Sequence, residues 1–332
     1  MAEASSPVFV LKLLAPILLL ITVGIPVPFI LGFNQYYILL ALQIVVTASI
    51  ALSWNIIGGY AGQLDLAAFA YIGLGGITAV ELMAKYNISP WIGMPIGSLV
   101  AAGVASIIGL ALFRFGIREV WYALSTAALV IIIHEASLMV LGPYDYYIPL
   151  LEGWYYLRFR TWENLYYVGL VFLALVVFIN LWIGRSRIGF YLKAIREDEV
   201  AAEAIGVDIR RYKLIALVIY AALLGFLGYI YIVSQRTYSY KTFSGPFSVY
   251  IAIIGIVGGL GSVSGVFTSA VLLKIVEEYL RSSFGGIIPG LHYLIYGILL
   301  ILIGILRPSG LSTITSRILN PVKRILGVTH EF

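Results

Sequence analysis

The sequence has no cysteine and few charged residues for its length. Its 332 residues include 21 Lys and Arg, 16 Asp and Glu, three His and no Cys. Without cysteine there are no disulfides and no thiolate metal sites, and the histidines show no metal-ligand spacing. Charged residues form 11% of the chain, whereas a soluble domain carries roughly 25%. This composition cannot cover a water-exposed surface, so it predicts a polytopic membrane protein.

Motifs for nucleotide binding and hydrolysis are also absent. The sequence contains no G-x-x-x-x-G-K-[ST], H-E-x-x-H, G-x-S-x-G or dinucleotide fingerprint. We therefore predict that the chain is not an enzyme, has no catalytic residue and binds no metal or cofactor. The net charge of +5 does not require a nucleic-acid partner, because membrane proteins concentrate Lys and Arg on their cytoplasmic side.

Long apolar runs dominate the sequence, and 61% of the residues are hydrophobic. Runs near the ~20 residues that a helix needs to cross a bilayer are Val8–Leu31, Tyr36–Ile57, Leu64–Ala84, Trp91–Phe113, Val120–Leu141, Asn164–Ile183, Leu214–Val233 and Leu291–Leu306. A further apolar stretch, Val249–Tyr279, is interrupted by glycines. We predict one all-α transmembrane bundle over residues 1–332, with about nine or ten membrane segments.

The positions of Lys and Arg predict the orientation of these segments. If the N-terminus is cytoplasmic, most basic residues fall on the cytoplasmic side. The polar stretch 185–213 and the basic tail 307–332 are then cytoplasmic, as is the C-terminus. The same alternation requires Val249–Tyr279 to cross an even number of times or not at all. We expect a broken or re-entrant hairpin there, with its tip at Gly258–Gly265.

The polar stretch contains a short helix pattern, Glu197–Ile205. Acidic residues occupy its first turn, where the helix dipole favours them, and Gly206 stands where the helix would end. Small apolar residues at helical spacing line one side. The pattern is typical of a helix that docks on another protein, and equally of a helix lying on the membrane surface.

Two glycine-rich stretches could contribute to a ligand path. In Gly58–Gly76 the glycines flank Gln63 and Asp65, and an ionisable residue at membrane depth commonly faces a cavity or a partner. In Gly258–Gly265 a helix break would expose backbone N–H groups that favour an anionic ligand group. The candidate path residues are Gln63, Asp65, Gly258, Gly259, Gly261 and Ser262. Close helix packing explains either set of glycines equally well.

Three stretches resemble the permease subunits of the branched-chain amino acid ABC importers, of the LivM type. They are ALSWNIIGGYAGQLDLAAFAYIGLGGITA at Ala51–Ala79, RSRIGFYLKAIREDEVAAEAIGVDIRRYKLIALV at Arg185–Val218, and IGIVGGLGSVSGVFTSAVLL at Ile254–Leu273. The second stretch is similar to the cytoplasmic loop by which such permeases engage their ATPase. The order and spacing of the three agree with the family over most of the chain.

This resemblance implies a multi-pass permease of a prokaryotic cell membrane that forms the translocation path of an ATP-driven amino acid importer. It also implies a homologous permease, two ATP-binding subunits and an extracytoplasmic solute-binding protein as partners, with ATP and Mg²⁺ bound in the ATPase subunits. The residues implied in ATPase coupling are Arg196, Glu197, Ala201, Ala202, Glu203 and Gly206.

One departure from the family pattern concerns the substrate. After Gly62-Gln63-Leu64 the family usually shows Ser-Leu-Gly-His, whereas this chain continues Asp65-Leu66-Ala67-Ala68. Relatives of this type also serve urea and short amides, which remain alternatives. A different class of protein, a stand-alone secondary carrier driven by an ion gradient through Asp65 or His134–Glu135, is also open.

Overall fold

The computed structural model describes residues 7–149 and 151–284, together with Leu294, Gly297 and Ile298. This part of the chain is almost entirely helical, which confirms the all-α prediction. The helices are α1 Pro7–Gly24, α2 Val27–Ile30, α3 Gln35–Trp54, α4 Ala68–Tyr86, α5 Pro90–Arg114, α6 Glu119–Leu141, α7 Glu163–Arg185, α8 Arg187–Glu197, α9 Glu199–Ala204, α10 Ile209–Gln235, α11 Gly245–Gly258 and α12 Val263–Phe284. A π-helix, Asn55–Tyr60, continues α3, and a 3-10 turn, Tyr240–Thr242, precedes α11. The strands β1 Tyr146–Tyr147 and β2 Thr237–Tyr238 pair antiparallel.

Seven helical stretches in the described part are long and apolar enough to cross a membrane. They are Gln35–Tyr60, Ala68–Tyr86, Pro90–Arg114, Val120–Leu141, Glu163–Arg185, Ile209–Gln235 and Tyr240–Gly258. The predicted count of nine or ten segments is therefore not confirmed. Leu14–Ile30, which covers the second half of α1 and all of α2, is apolar but shorter, and α12 carries charged residues in its second half. The predicted span Leu291–Leu306 and the tail 307–332 lie outside the described residues.

Helices α4, α5 and α10 pack closely at the centre of the bundle because glycines lie where they cross. A side chain at Gly75 would collide with the backbone of Gly225 in α10, and a side chain at Gly97 in α5 would collide with the carbonyl of Gly75. Glycine permits this approach because it has no Cβ. The packing role considered for the glycines of Gly58–Gly76 is therefore confirmed at Gly75.

The predicted glycine-rich break is present between α11 and α12. Residues 259–262 form a turn in which Gly259 and Gly261 have φ of 98° and 81°, a left-handed region that glycine adopts readily. The hydroxyl of Ser262 accepts a hydrogen bond from the Gly265 amide at 3.1 Å. The 14 residues of α11 correspond to about 21 Å of helix, so Tyr240–Gly258 spans the ~30 Å of a bilayer core only together with the residues that precede α11.

The predicted helix Glu197–Ile205 begins later than expected. Helix α8 ends at Glu197, and Asp198 caps α9 by accepting hydrogen bonds from the amides of Val200 and Ala201 at 2.8 and 3.0 Å. The acidic cluster is thus divided between a helix end, a cap and a first turn, because Asp is a preferred N-cap residue. Gly206, with φ of 87°, follows the end of α9 as predicted.

Candidate functional site

Helix α9 lies outside the long helices and is fixed to them by a small core and an ion-pair group. Ala202 packs with Ile195 and Val207 in a cluster separate from the main core. Glu199 pairs with Lys213 of α10, whose side chain is 2% exposed, and with Arg118 next to α6, where Arg118 Nε lies 3.1 Å from Glu199 Oε2. Because a buried ion pair is costly to break, α9 is firmly connected to the starts of α6 and α10.

The opposite face of α9 is open. Val200 and Ile205 are 66% and 75% exposed. Of the predicted coupling residues, Glu197, Ala201, Glu203 and Gly206 are exposed, whereas Ala202 is buried at 2%. The structure therefore brings four of the six residues to the accessible surface and places Ala202 in the support of the helix.

A cavity of ≈ 360 Å³ lies beside α9, against the connection between α5 and α6. Its charged lining combines Arg118, Glu199, Glu203, Asp208, Arg210 and Lys213. Acidic and basic groups are mixed there and several pair with each other, so this cavity does not define a site for ions of one sign.

Arg196, the remaining predicted coupling residue, is directed toward the bundle. Its Nη1 donates hydrogen bonds to the carbonyls of Gly59, at 2.8 Å, and Leu260, at 3.4 Å. Its Nη2 lies 2.9 Å from Glu197 Oε1. One guanidinium on α8 thus contacts both glycine-rich stretches, which are about two hundred positions apart in the sequence. We call this set of contacts the Arg196 bridge.

Two buried asparagines complete the meeting point of the glycine-rich stretches. Asn55 Oδ1 accepts from the Gly261 amide at 2.9 Å, and Asn55 Nδ2 donates to Asn180 Oδ1 at 3.2 Å. Asn180 also donates to the carbonyl of Leu52 at 2.9 Å, and both asparagines are fully buried. Our sequence reasoning missed them, although amides inside apolar runs are a detectable signal.

Asp65 is buried and fully hydrogen-bonded. Its side chain accepts from the hydroxyls of Tyr122 at 2.9 Å and Tyr220 at 3.2 Å, and from the Ala67 amide at 2.8 Å. The indole of Trp54 donates to its backbone carbonyl at 2.8 Å. Such donors stabilise a carboxylate that has lost its hydration. Asp65 therefore joins α3, α6 and α10 through one polar cluster.

The other path candidates lie near these two clusters. Gln63 is 4% exposed, and its Oε1 has no hydrogen-bond partner among the described residues. Gly258 and Gly259 border the break, Gly261 contacts Asn55, and Ser262 caps α12. The structure thus brings Gly258, Gly259, Gly261 and Ser262 together with Gly59, while Gln63 and Asp65 lie in the connection before α4. A ligand contact for any of them stays a prediction.

Polar pairs also lie at the end of the bundle opposite α9. Lys241 Nζ lies 3.0 Å from Asp145 Oδ2, and hydrogen bonds from Ser239 and Lys241 lower the pKa of the exposed Asp145 carboxyl. His134 Nδ1 lies 3.1 Å from Glu135 Oε1, with side chains 31% and 58% exposed. Within residues 7–149 and 151–284, no three His, Asp or Glu residues form a group that could hold a metal ion.

These features together describe a multi-pass membrane protein with broken helices. A family model, described as "Branched-chain amino acid transport system / permease component", matches residues 36–304. The chain belongs to this family.

Relatives with known names extend the comparison. The chain is 27% identical to the "High-affinity branched-chain amino acid transport system permease protein LivM" of Escherichia coli K12 over 294 residues, which cover 80% of this chain and 67% of the relative. It is 26% identical to a "Probable branched-chain amino acid transport permease protein LivH" of Methanocaldococcus jannaschii, over 70% of this chain and 76% of the relative. A "Fructose import permease protein FrcC" of Rhizobium meliloti is 29% identical over 44% of this chain and 41% of that relative. No solved structure matches the chain significantly.

Proposed function

We propose that this chain is the permease subunit of an ATP-driven importer of the ABC type, and that α9 is its ATPase-docking element. The observation that carries the proposal is the exposure of Val200 on α9 and of Ile205 directly after it, on a helix that is anchored by the buried pair of Lys213 and Glu199. An exposed apolar face on a firmly held short helix suits insertion into a groove of another protein. A helix that merely lay on a membrane surface would not need a buried ion pair beneath it.

The proposed assembly contains a homologous permease, two ATP-binding subunits at the α9 end and a solute-binding protein at the opposite end. The α9 end is cytoplasmic, as are both chain termini, and the membrane is the cell membrane of a prokaryote. The concentration of Lys and Arg around α8 and α9 supports this orientation. This chain binds no nucleotide in the proposal, and ATP with Mg²⁺ binds in the ATPase subunits.

Movement of α9 would reach the long helices through its anchors. Glu199 pairs with Lys213 in the first turns of α10 and with Arg118 before α6. Closure of the ATPase pair displaces α9, and these contacts carry the displacement to α6 and α10. The equilibrium between the outward-open and inward-open states of the permease then depends on the difference in free energy with which the ATPase pair binds these two states.

Branched-chain or other amino acids are the proposed substrates. The family description and the names of the bacterial and archaeal relatives support this class. The fructose permease among the relatives, and Asp65 where the family usually has Ser, leave the individual substrate to experiment. Urea and short amides are the test ligands from the same family.

Co-purification tests the docking role. The full chain is expressed with its genomic neighbours, solubilised in mild detergent and compared with a variant carrying Glu197→Lys and Glu203→Lys. A control carries one such charge reversal at the exposed Glu152, in the connection between α6 and α7, and is compared also with the single variants Glu197→Lys and Glu203→Lys. We expect an ATPase subunit to co-purify with the parent and the control and to be lost from the double variant.

Two results would contradict the proposal. One is retention of the ATPase by the double variant at the level of the parent. The other is a chain that purifies alone and moves solute along an ion gradient without any ATPase, since this would assign the chain to the secondary carriers.

A further inference from the structure

We propose that Arg196 is a positioning residue that controls a gate at the α9 end of the permease, and that the gate is the meeting point of the two glycine-rich breaks. This inference rests on the proposed function. It assigns Arg196 to the interior of the permease and not to the ATPase contact that the sequence resemblance implied.

Both sides of the gate are irregular backbone. The π-helix Asn55–Tyr60 ends on one side, and the turn 259–262 lies on the other. Helix breaks release backbone groups that need new partners where water is scarce. Two of these groups, the carbonyls of Gly59 and Leu260, receive hydrogen bonds from Arg196. The amide of Gly261 donates to Asn55.

The two breaks lie against each other, and the side chains of Asn55 and Arg196 hydrogen-bond across the contact. A Cβ added at Gly59 would collide with Asn55 and lie 2.6 Å from the Gly261 amide nitrogen. Backbone therefore packs on backbone, which closes this part of the bundle. Separation of the two sides would open it, and the hydrogen bonds that Arg196 and Asn55 make across the contact oppose that separation.

Arg196 is placed to respond when α9 moves. It lies in the last turn of α8, and Asp198, two residues later, is the N-cap of α9. A displacement of α9 therefore moves Arg196 with it. In the state described here the guanidinium contacts both sides of the gate. Withdrawal of α8 would leave two carbonyls without their charged donor and allow the breaks to separate.

The charge and shape of Arg explain why this residue type is required. One planar guanidinium can donate in several directions at once, and here it serves Gly59, Leu260 and Glu197. A lysine ammonium at this position would retain the charge but not the planar fork of donors. Glutamine would retain a donor without the charge.

The first test separates ATP hydrolysis from uptake in the complete transporter, reconstituted in vesicles with its partner subunits. The variants are Arg196→Gln and Arg196→Lys. The matched control is Arg187→Gln, which removes a positive charge at the first residue of the same helix, where the side chain is exposed. We expect Arg196→Gln to lower the amount of substrate moved per ATP at least about ten-fold, the effect of one lost hydrogen bond to a charged group.

The rate of ATP hydrolysis should stay within about two-fold of that of the parent. Arg196 faces the bundle, so its replacement should weaken ATPase docking by no more free energy than the loss of an exposed ion pair. Arg196→Lys should lie between the parent and Arg196→Gln, and Arg187→Gln should match the parent. Unchanged transport per ATP in Arg196→Gln would overturn the inference. Loss of the ATPase from this variant would also overturn it, because Arg196 would then be a docking residue.

A second test needs no ATPase and no transport, so it distinguishes failure of this inference from failure of the proposed function. The chain has no native cysteine, so spin labels can be placed at Phe190→Cys on α8 and Leu260→Cys in the break, which are 70% and 45% exposed. Double electron–electron resonance then reports the distance between α8 and the break. We expect Arg196→Gln to widen the distance distribution or shift it to longer distances, as a released contact between elements would.

The same labelled pair with Arg187→Gln is the control, and its distribution should match the parent. A distribution in Arg196→Gln that is identical to the parent would show that Arg196 does not hold α8 against the break, whatever the transporter does with ATP.

Discussion

Truncation of Ile205 to alanine should weaken ATPase docking without weakening the fold. The side chain is 75% exposed and follows α9 directly. In the free permease it contributes little to packing, so Ile205→Ala should leave the thermal unfolding midpoint nearly unchanged. In the assembled transporter the same side chain should be buried in the ATPase groove.

The size of the effect follows from the apolar surface that would be removed. Ile→Ala deletes three carbon groups at about 0.8 kcal/mol each when fully buried, or ~2.4 kcal/mol in total. Because 75% of the residue is exposed and available for burial, docking can lose at most ~1.8 kcal/mol. This corresponds to an increase of up to about 20-fold in the Kd of the ATPase complex.

The assay is a binding titration of purified ATPase subunits against the permease in nanodiscs, with unfolding measured in parallel. Ile107→Ala is the matched control, because Ile107 is 70% exposed on α5, a membrane-spanning helix. A Kd unchanged by Ile205→Ala, or an equal loss in Ile107→Ala, would refute the argument that the face of α9 docks.

Two further predictions concern the stability of the bundle in detergent. Gly97→Ala should destabilise by about 1–3 kcal/mol through overpacking against α4, whereas Gly103→Ala, where a Cβ meets nothing within 4 Å, should gain up to about 1 kcal/mol of helix propensity; equal unfolding midpoints would contradict the close packing of α4 and α5. Asp65→Leu should cost about 1–3 kcal/mol for each of the two tyrosine hydroxyls left without an acceptor, and Asp65→Asn should cost less because it keeps an oxygen acceptor. If the two Asp65 variants unfold alike, hydrogen bonding does not account for the burial of this carboxylate.

Local patterns predicted several elements correctly. The glycines at 258–265 predicted a break, and the structure has one at 259–262 between α11 and α12. The predicted end of the docking helix at Gly206 is also observed. A turn and a helix end depend on the conformational freedom of one residue or on its nearest neighbours. They can therefore be predicted without knowledge of the fold.

The predicted start of α9 was wrong, although the residues that determine it are adjacent in the sequence. We read Glu197, Asp198 and Glu199 as one acidic first turn. Asp198 is the cap, because its short side chain can reach the amides two and three residues ahead. The known preference for Asp at the N-cap was sufficient to divide the cluster.

The contacts of the proposed gate could not be predicted in this way. Arg196 and Gly59 are 137 positions apart, and Asn55 and Gly261 are 206 apart. Nothing near Arg196 in the sequence distinguishes a guanidinium that faces the bundle from one that faces a partner. The same is true of Asp65, whose tyrosine partners are two of 24 tyrosines in the chain.

The sequence by itself determined that this protein lies in a membrane, roughly where its helices run and that one break falls at Gly258–Gly265. Hydropathy, charge and glycine content act locally. Each apolar run forms a helix because its backbone hydrogen bonds must be satisfied within the bilayer. Only the tertiary structure decided that both breaks meet under Arg196, that Ala202 supports α9 from within, and that Asp65 is enclosed by hydroxyls. Those outcomes depend on which helices pack together, and side-chain partners between distant segments exist only once that packing is complete.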